Sequence, residues 1–122
     1  MKFHLQQPAA NVVTGTGPGW VRVGQTEYRG NIVLLPDAVV QDWAPNGFDA
    51  LGESDYASLL SYRPEMVLLG TGSAQRFPHP RLLQSLAAAR VGVEVMDTRA
   101  ACRTFNILVA EDRRVAAALI VG

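Results

Sequence analysis

The chain has 122 residues, 48% of them apolar and 18% charged, which is enough to bury one core and too apolar for a disordered segment. Eleven cations balance eleven anions, so a general nucleic-acid binder, which needs a net basic face, is excluded. A single cysteine, Cys102, excludes an internal disulfide and a cysteine-built metal cage, and His4 and His79 show no ligand spacing.

Residues 1–10 lack the apolar centre of a signal peptide, and the longest apolar run, Val115 to Val121, is far too short for a membrane span. The expectation is a single domain over 1–122, soluble and cytoplasmic, with no membrane association. Ten of the eleven cations are arginine, the planar recogniser of carboxylate and phosphate. A local anion site is therefore compatible with the neutral total, as is a simple arginine-rich codon bias.

Along the chain, Gly15-Thr16-Gly17-Pro18-Gly19 reads as a turn before a strand rather than a phosphate cradle, because no helix follows it. Trp20-Val21-Arg22-Val23 and the stretch from Thr26 to Ile32 alternate polar and apolar residues, with Gly24-Gln25 as the hairpin turn. Ile32 to Leu35 is continuously apolar and ends at Pro36-Asp37. Val39 to Trp43 reads as a further strand closed by Pro45-Asn46-Gly47.

The second half changes period. Ser54 is placed to cap a helix through Tyr62, stopped by Pro64. Residues 66–69 form a buried strand, and Pro80 opens a helix to about Arg90, ended by Gly92. Residues 93–96 form a second buried strand. Asp97 or Thr98 caps a helix with Ala101, Phe105, Leu108 and Val109 as its inward stripe, and Arg113 to Val121 closes the chain as a strand. The order is hairpin material, a helix, then β-α-β-α-β, an α/β fold in which 66–69 and 93–96 are parallel neighbours.

Chemistry-bearing residues gather where the two buried strands end, the place where open α/β sheets put ligands. Gly70-Thr71-Gly72-Ser73 lacks the third glycine and immediate helix of a dinucleotide fingerprint, and without a lysine it is no P-loop. The glycines then serve either a sharp turn off the strand or a binding loop. On the helix opening at Thr98, Arg99, Arg103 and Asn106 share the face opposite the core stripe. Two arginines four residues apart repel, and the helix dipole opposes Arg99, so the pair reads either as an anion or partner site or as an ordinary solvated face with Arg99 or Arg103 paired to Asp97, Glu94, Glu111 or Asp112. Cys102 sits at the border of that face, readable as a packed small residue or as a thiol activated by arginines and the helix start. No catalytic constellation, cofactor motif or metal-ligand set is recognisable.

The stretches Arg63-Pro64-Glu65-Met66-Val67-Leu68-Leu69-Gly70-Thr71-Gly72, Gly92-Val93-Glu94-Val95-Met96-Asp97-Thr98, Ala101-Cys102-Arg103-Thr104-Phe105-Asn106-Ile107-Leu108 and Glu111-Asp112-Arg113-Arg114-Val115-Ala116-Ala117-Ala118-Leu119 carry a resemblance. Together with Tyr28-Arg29-Gly30-Asn31, they resemble the small uncharacterised domain family that includes the mitochondrial respiratory complex I assembly factor 3. The resemblance spans nearly the whole chain. It implies a three-layer fold with a central mixed sheet and an added N-terminal β layer, and a role through protein contact rather than catalysis. Its marked positions fall here on Gly70, Thr71, Gly72, Asp97, Thr98, Cys102, Arg103, Thr104, Asn106 and Glu111, with no role assigned to them.

Two readings follow. In the first, the chain is a non-catalytic interaction or assembly-type domain with a protein partner. Its working surface is then the crevice between the 70–73 loop and the Thr98 helix start, together with an exposed hairpin face. An exposed apolar patch or a homo-oligomer would accompany this reading. In the second, it binds a small anionic ligand, or acts on one, in that crevice. Arg99 and Arg103 clamp the anion, Thr71, Ser73 and Thr98 donate hydrogen bonds, Asn106 orients it, and Gly70, Gly72 and Cys102 line the site. That reading demands a concave pocket with both arginines unpaired.

Overall fold

The computed structural model describes residues 9–121. The N-terminal stretch read for a signal peptide, with Lys2 and His4, lies outside them up to residue 8. Two sheets organise the chain. Strands β1 (Val13–Gly17), β2 (Trp20–Val23) and β3 (Thr26–Tyr28) form an antiparallel three-stranded sheet in the order β1-β2-β3. Strands β4 (Ile32–Leu35), β5 (Ala38–Gln41), β6 (Met66–Thr71), β7 (Gly92–Met96) and β8 (Val115–Ile120) form a mixed sheet in the order β5-β4-β8-β6-β7. β6 runs parallel to both β7 and β8, while β4 runs antiparallel to β5 and β8.

β8 lies at the centre, and all six of its residues are buried, as its unbroken apolar run demands of a strand covered on both faces. Alternation along the strands divides the core in two. Ile32, Leu34, Leu68, Ala117 and Leu119 face a layer made of helix α3 (Thr98–Ala110) and the three-stranded sheet, through Phe105, Val109, Val13 and Val21. Val33, Leu35, Val67, Leu69 and Ala118 face the other way, toward Tyr56, Leu59 and Leu86. These last sit on the short helix α1 (Glu53–Ala57), a 3-10 turn over Ser58–Tyr62 and the short helix α2 (Gln84–Ala88). The result is three layers around a central mixed sheet, as the resemblance implies. The 66–69 and 93–96 strands are parallel neighbours, with Val67 opposite Val93.

Several local expectations need correction. Gly15 and Gly17 are strand residues of β1, and only Pro18-Gly19 make the turn. The glycines are there because Trp20 and Arg22 lie across them: a Cβ on Gly17 would overlap the Trp20 indole, and one on Gly15 would stand 2.7 Å from Arg22 Nη2. The stretch from Thr26 to Ile32 is two strands in different sheets, divided at Arg29-Gly30-Asn31. Asn31 fastens that crossing, accepting from Val121 N–H at 2.8 Å and donating to the Ala44 carbonyl at 2.8 Å.

β5 stops at Gln41, because Asp42 (φ 64°) and Ala44 (φ 49°) enter the left-handed region and turn Trp43 into the core. Ser54 is not the cap of α1. Gly52 is the N-cap, and the Asp55 carboxylate accepts from its N–H at 2.8 Å. The expected helix from Pro80 is a 3-10 turn (Pro80–Leu83) running into α2, and Arg90 in the left-handed conformation (φ 61°) follows its end. Gly92 opens β7 instead.

Candidate functional site

The junction begins with a close approach of β6 and α3. A Cβ on Gly70 would stand 3.0 Å from Thr98 Oγ1 and 3.1 Å from Thr98 Cα, so glycine is what lets the helix start settle on the strand. Thr98 then bonds in three directions. Its N–H donates to the Gly72 carbonyl at 2.9 Å, and its hydroxyl accepts from Gly72 N–H at 2.8 Å and donates to the Ile120 carbonyl at 2.5 Å. Thr98 is 7% exposed and Gly72 is buried with φ 93°. The space expected between the loop and the helix is occupied by the chain itself.

Asp97 caps α3 through a 2.9 Å bond from Ala100 N–H to its carboxylate, as the sequence implies. Thr71 is equally committed: its hydroxyl donates to the Ala74 carbonyl at 2.6 Å and accepts from Arg76 N–H at 3.0 Å. Ser73 alone of the 70–73 group is exposed. Gly70, Thr71, Gly72 and Thr98 are thus brought together as a structural knot, in which the hydroxyls of Thr71 and Thr98, two of the three expected donors, are already engaged.

Asn106 is also engaged. Its Oδ1 accepts from Val13 N–H at 2.8 Å and its Nδ2 donates to the Val13 carbonyl at 2.9 Å, a two-point clamp holding β1 on α3. This explains a weak helix former in mid-helix, and it commits the Asn106 amide to holding β1 on α3. Cys102 is 2% exposed among the core residues of α3, and burial pushes its thiol up to about 12. Of the two readings of Cys102, burial favours the packed residue: desolvation of the thiol outweighs the helix start and the nearby arginines.

Arg99 and Arg103 remain. Both are exposed, and neither has an ion pair or a side-chain hydrogen bond among the described residues, so the acidic partners offered by the sequence are not used. They lie with Ile107 at i, i+4 and i+8 on the outer face of α3. Ile107 is 60% exposed. Val12, also exposed, precedes the residue that Asn106 clamps, so Val12 and Ile107 flank the same β1–α3 contact. The hairpin's outer side carries Arg22 stacked on Trp20 (5.6 Å) and bonded to Thr14.

Sequence reasoning missed three features. Asn31 and the Val13 clamp join residues about 90 apart in sequence, which local patterns do not register. Phe77 is 71% exposed at the tip of the 72–79 loop. Trp43 and Tyr56 stack edge-on at 6.1 Å, each with a buried polar atom lacking a hydrogen-bond partner among the described residues. Two depressions meet at Trp43: one of about 210 Å³ beside Leu59 on the side of the central sheet away from α3, and one of about 410 Å³ that reaches Arg29 and Ile32. No group of three or more His, Cys, Asp or Glu suited to a metal occurs among the described residues, nor any helix long and apolar enough to cross a membrane.

A family model described as a protein of unknown function (DUF498/DUF598) matches residues 13–120. Mouse NADH dehydrogenase [ubiquinone] 1 alpha subcomplex assembly factor 3 is 41% identical over 93 residues. That alignment takes in 75% of this chain and 50% of the mouse protein, so the chain spans about half the length of the curated relatives it matches first. A Bordetella parapertussis crystal structure superimposes with a TM-score of 0.84 at 39% identity, covering 94% of this chain and 98% of that one. A solution structure of a Bordetella pertussis protein described as a Mth938-like domain gives 0.71 at 33% identity, covering 99% and 92%.

Proposed function

The chain belongs to the DUF498/DUF598 family of proteins of unknown function, and from that premise we propose that it is a non-catalytic docking domain of assembly type. Its docking face is the outer side of α3, where Arg99, Arg103, Ile107 and the adjoining Val12 stand together. The observation that supports this reading is that these side chains are exposed and uncommitted, while Thr71, Gly72, Thr98 and Asn106 are spent on the fold. An apolar centre with arginines beside it is the composition of an interface hot spot, and the acidic side of a partner completes it. The kinship with an assembly factor agrees with a role through contact.

The rival, a small anion held by Arg99 and Arg103, keeps its two arginines and the exposed Ser73, while Thr71, Thr98 and Asn106 are engaged in the fold. Tagged chain recovered from its own cells, with Ile107→Asp and Arg103→Glu beside it, separates the two. The expected result is a defined partner, retained by the unaltered chain and lost in both variants, with no stabilisation by phosphates, nucleotides or organic acids. A single anion raising the melting temperature by about 10 °C, and losing that effect in Arg103→Ala, would overturn the docking reading.

A further inference from the structure

Charge is unevenly distributed along this chain. From Gly30 to Tyr62 there are carboxylates at Asp37, Asp42, Asp49, Glu53 and Asp55, and no lysine, arginine or histidine. From Gly72 to Arg81 there are two arginines and no carboxylate. The two segments meet in the layer away from α3, where Arg76 pairs with Asp49 and lies over the Phe48 ring at 4.4 Å.

The basic segment carries an anchor. Phe77 stands 71% exposed, yet the backbone around it is held: Arg76 N–H donates to Thr71 Oγ1, Gln75 Nε2 donates to the Val95 carbonyl at 2.8 Å, and Pro78 is buried. A large aromatic side chain on a held loop loses little freedom when it is covered. The acidic segment carries a socket. The 210 Å³ depression is lined by Val40, Trp43, Leu59 and Tyr62, with the exposed Asp42 and Asp55 at its mouth and no cation in its lining. Neither carboxylate is in an ion pair among the described residues, and Arg81 beside the anchor is likewise exposed and unpaired.

We infer that the occupant of the depression is Phe77 of a second copy of this chain, with Arg81 of that copy meeting Asp42 and Asp55 at the mouth. Anchor and socket belong to one layer, since Phe48 under Arg76 and Trp43 in the socket pack into the same cluster. Two copies related by a two-fold axis therefore exchange anchors reciprocally and close as a dimer. Two buried rings account for roughly 300–500 Å², well under the ~1,200 Å² at the low end of stable interfaces, so the dimer is transient. It uses the face opposite α3 and stands independently of the docking reading above.

Sedimentation velocity from about 10 μM to 1 mM tests this over the range expected for weak association. The unaltered chain should shift from monomer toward dimer, and Phe77→Ala should weaken association by at least about tenfold. Arg81→Glu and Asp42→Arg should each suppress self-association, while an equimolar mixture of the two should associate more strongly than either alone, because each mixed contact then pairs opposite charges. All three substituted residues are exposed, and circular dichroism of each variant checks that it is folded. A chain monomeric throughout the range, association unaffected by Phe77→Ala, a mixture no stronger than its components, or an open series of species beyond the dimer would each overturn the assignment.

Discussion

Replacing Thr98 by valine preserves the shape of the side chain and removes only the hydroxyl. In the folded protein this strands two backbone groups: Gly72 N–H loses its acceptor at 2.8 Å, and the Ile120 carbonyl loses a donor at 2.5 Å. Thr98 is 7% exposed and Gly72 and Ile120 are buried, so water does not replace what is lost. At about 1–3 kcal/mol for each unsatisfied buried group, the expected loss is about 3 kcal/mol. With an unfolding entropy of about 2.1 cal/mol/K per residue, a 122-residue chain loses about 12 °C of melting temperature. Urea unfolding followed by circular dichroism should show a lower midpoint with an unchanged slope. Thr98→Ser, which keeps the hydroxyl, should cost about 1 kcal/mol, the value of one methyl group. A Thr98→Val variant within about 0.5 kcal/mol of the parent, the range of an ordinary surface change, would show that the hydroxyl is free for a ligand and that the closed junction is wrong.

Three further outcomes are expected. Asn106→Asp keeps an acceptor for Val13 N–H but sets a carboxylate oxygen against the Val13 carbonyl, so it should cost about 2 kcal/mol at neutral pH. Repulsion raises the folded-state pKa of the new carboxyl group. The variant should therefore recover stability on acidification, when the protonated group donates again, and lose it as pH rises through that pKa; urea midpoints at two pH values read this directly. The Cys102 thiol, buried and pushed up to about 12, should resist a disulfide reagent at neutral pH until urea opens the core, and reaction within the mixing time of the native protein would contradict its burial. Glu65 accepts from Arg114 N–H and from Arg113, which hold its carboxyl below the usual glutamate range. That stabilisation is complete above the unfolded-state pKa and is lost as pH falls through the folded one. Glu65→Gln should flatten the acid limb of a melting-temperature profile, and an unchanged limb would remove Glu65 from the account.

Local chemistry with a short reach was legible in the sequence. The Gly24-Gln25 hairpin, the Asp97 cap and the inward stripe of α3 all rest on residues within a few positions of one another, and each is present. What escaped depended on distant partners. β1 reads as a turn because its glycines signal flexibility, whereas their purpose is to lie under Trp20 and Arg22. The stretch from Thr26 to Ile32 keeps one alternating pattern across a change of sheet, and only the long-range bonds of Asn31 reveal the break. Asn106 is a weak helix former in mid-helix, an anomaly visible from its residue type alone. Its partner, Val13, lies 93 residues away, so the anomaly was visible while its explanation was not.

The junction itself shows how far a topological rule carries. β6 leads to α2 on one face of the sheet and adjacent β7 leads to α3 on the other, so the chain does diverge between their carboxyl ends, where open α/β sheets place ligands. A crevice survives there only if the helix start stands clear of the neighbouring strand. Here Gly70 has no side chain to hold it off, and two of the first-turn donors that would receive an anion are satisfied internally: Thr98 N–H by the Gly72 carbonyl, Ala100 N–H by the Asp97 carboxylate. The chain supplies its own acceptors at the helix N-terminus, which is why Arg99 does not need an anion there to be tolerated. The exposed side chains of this region therefore lie outward, in the arginines and Ile107 on α3 and in Phe77 on the following loop.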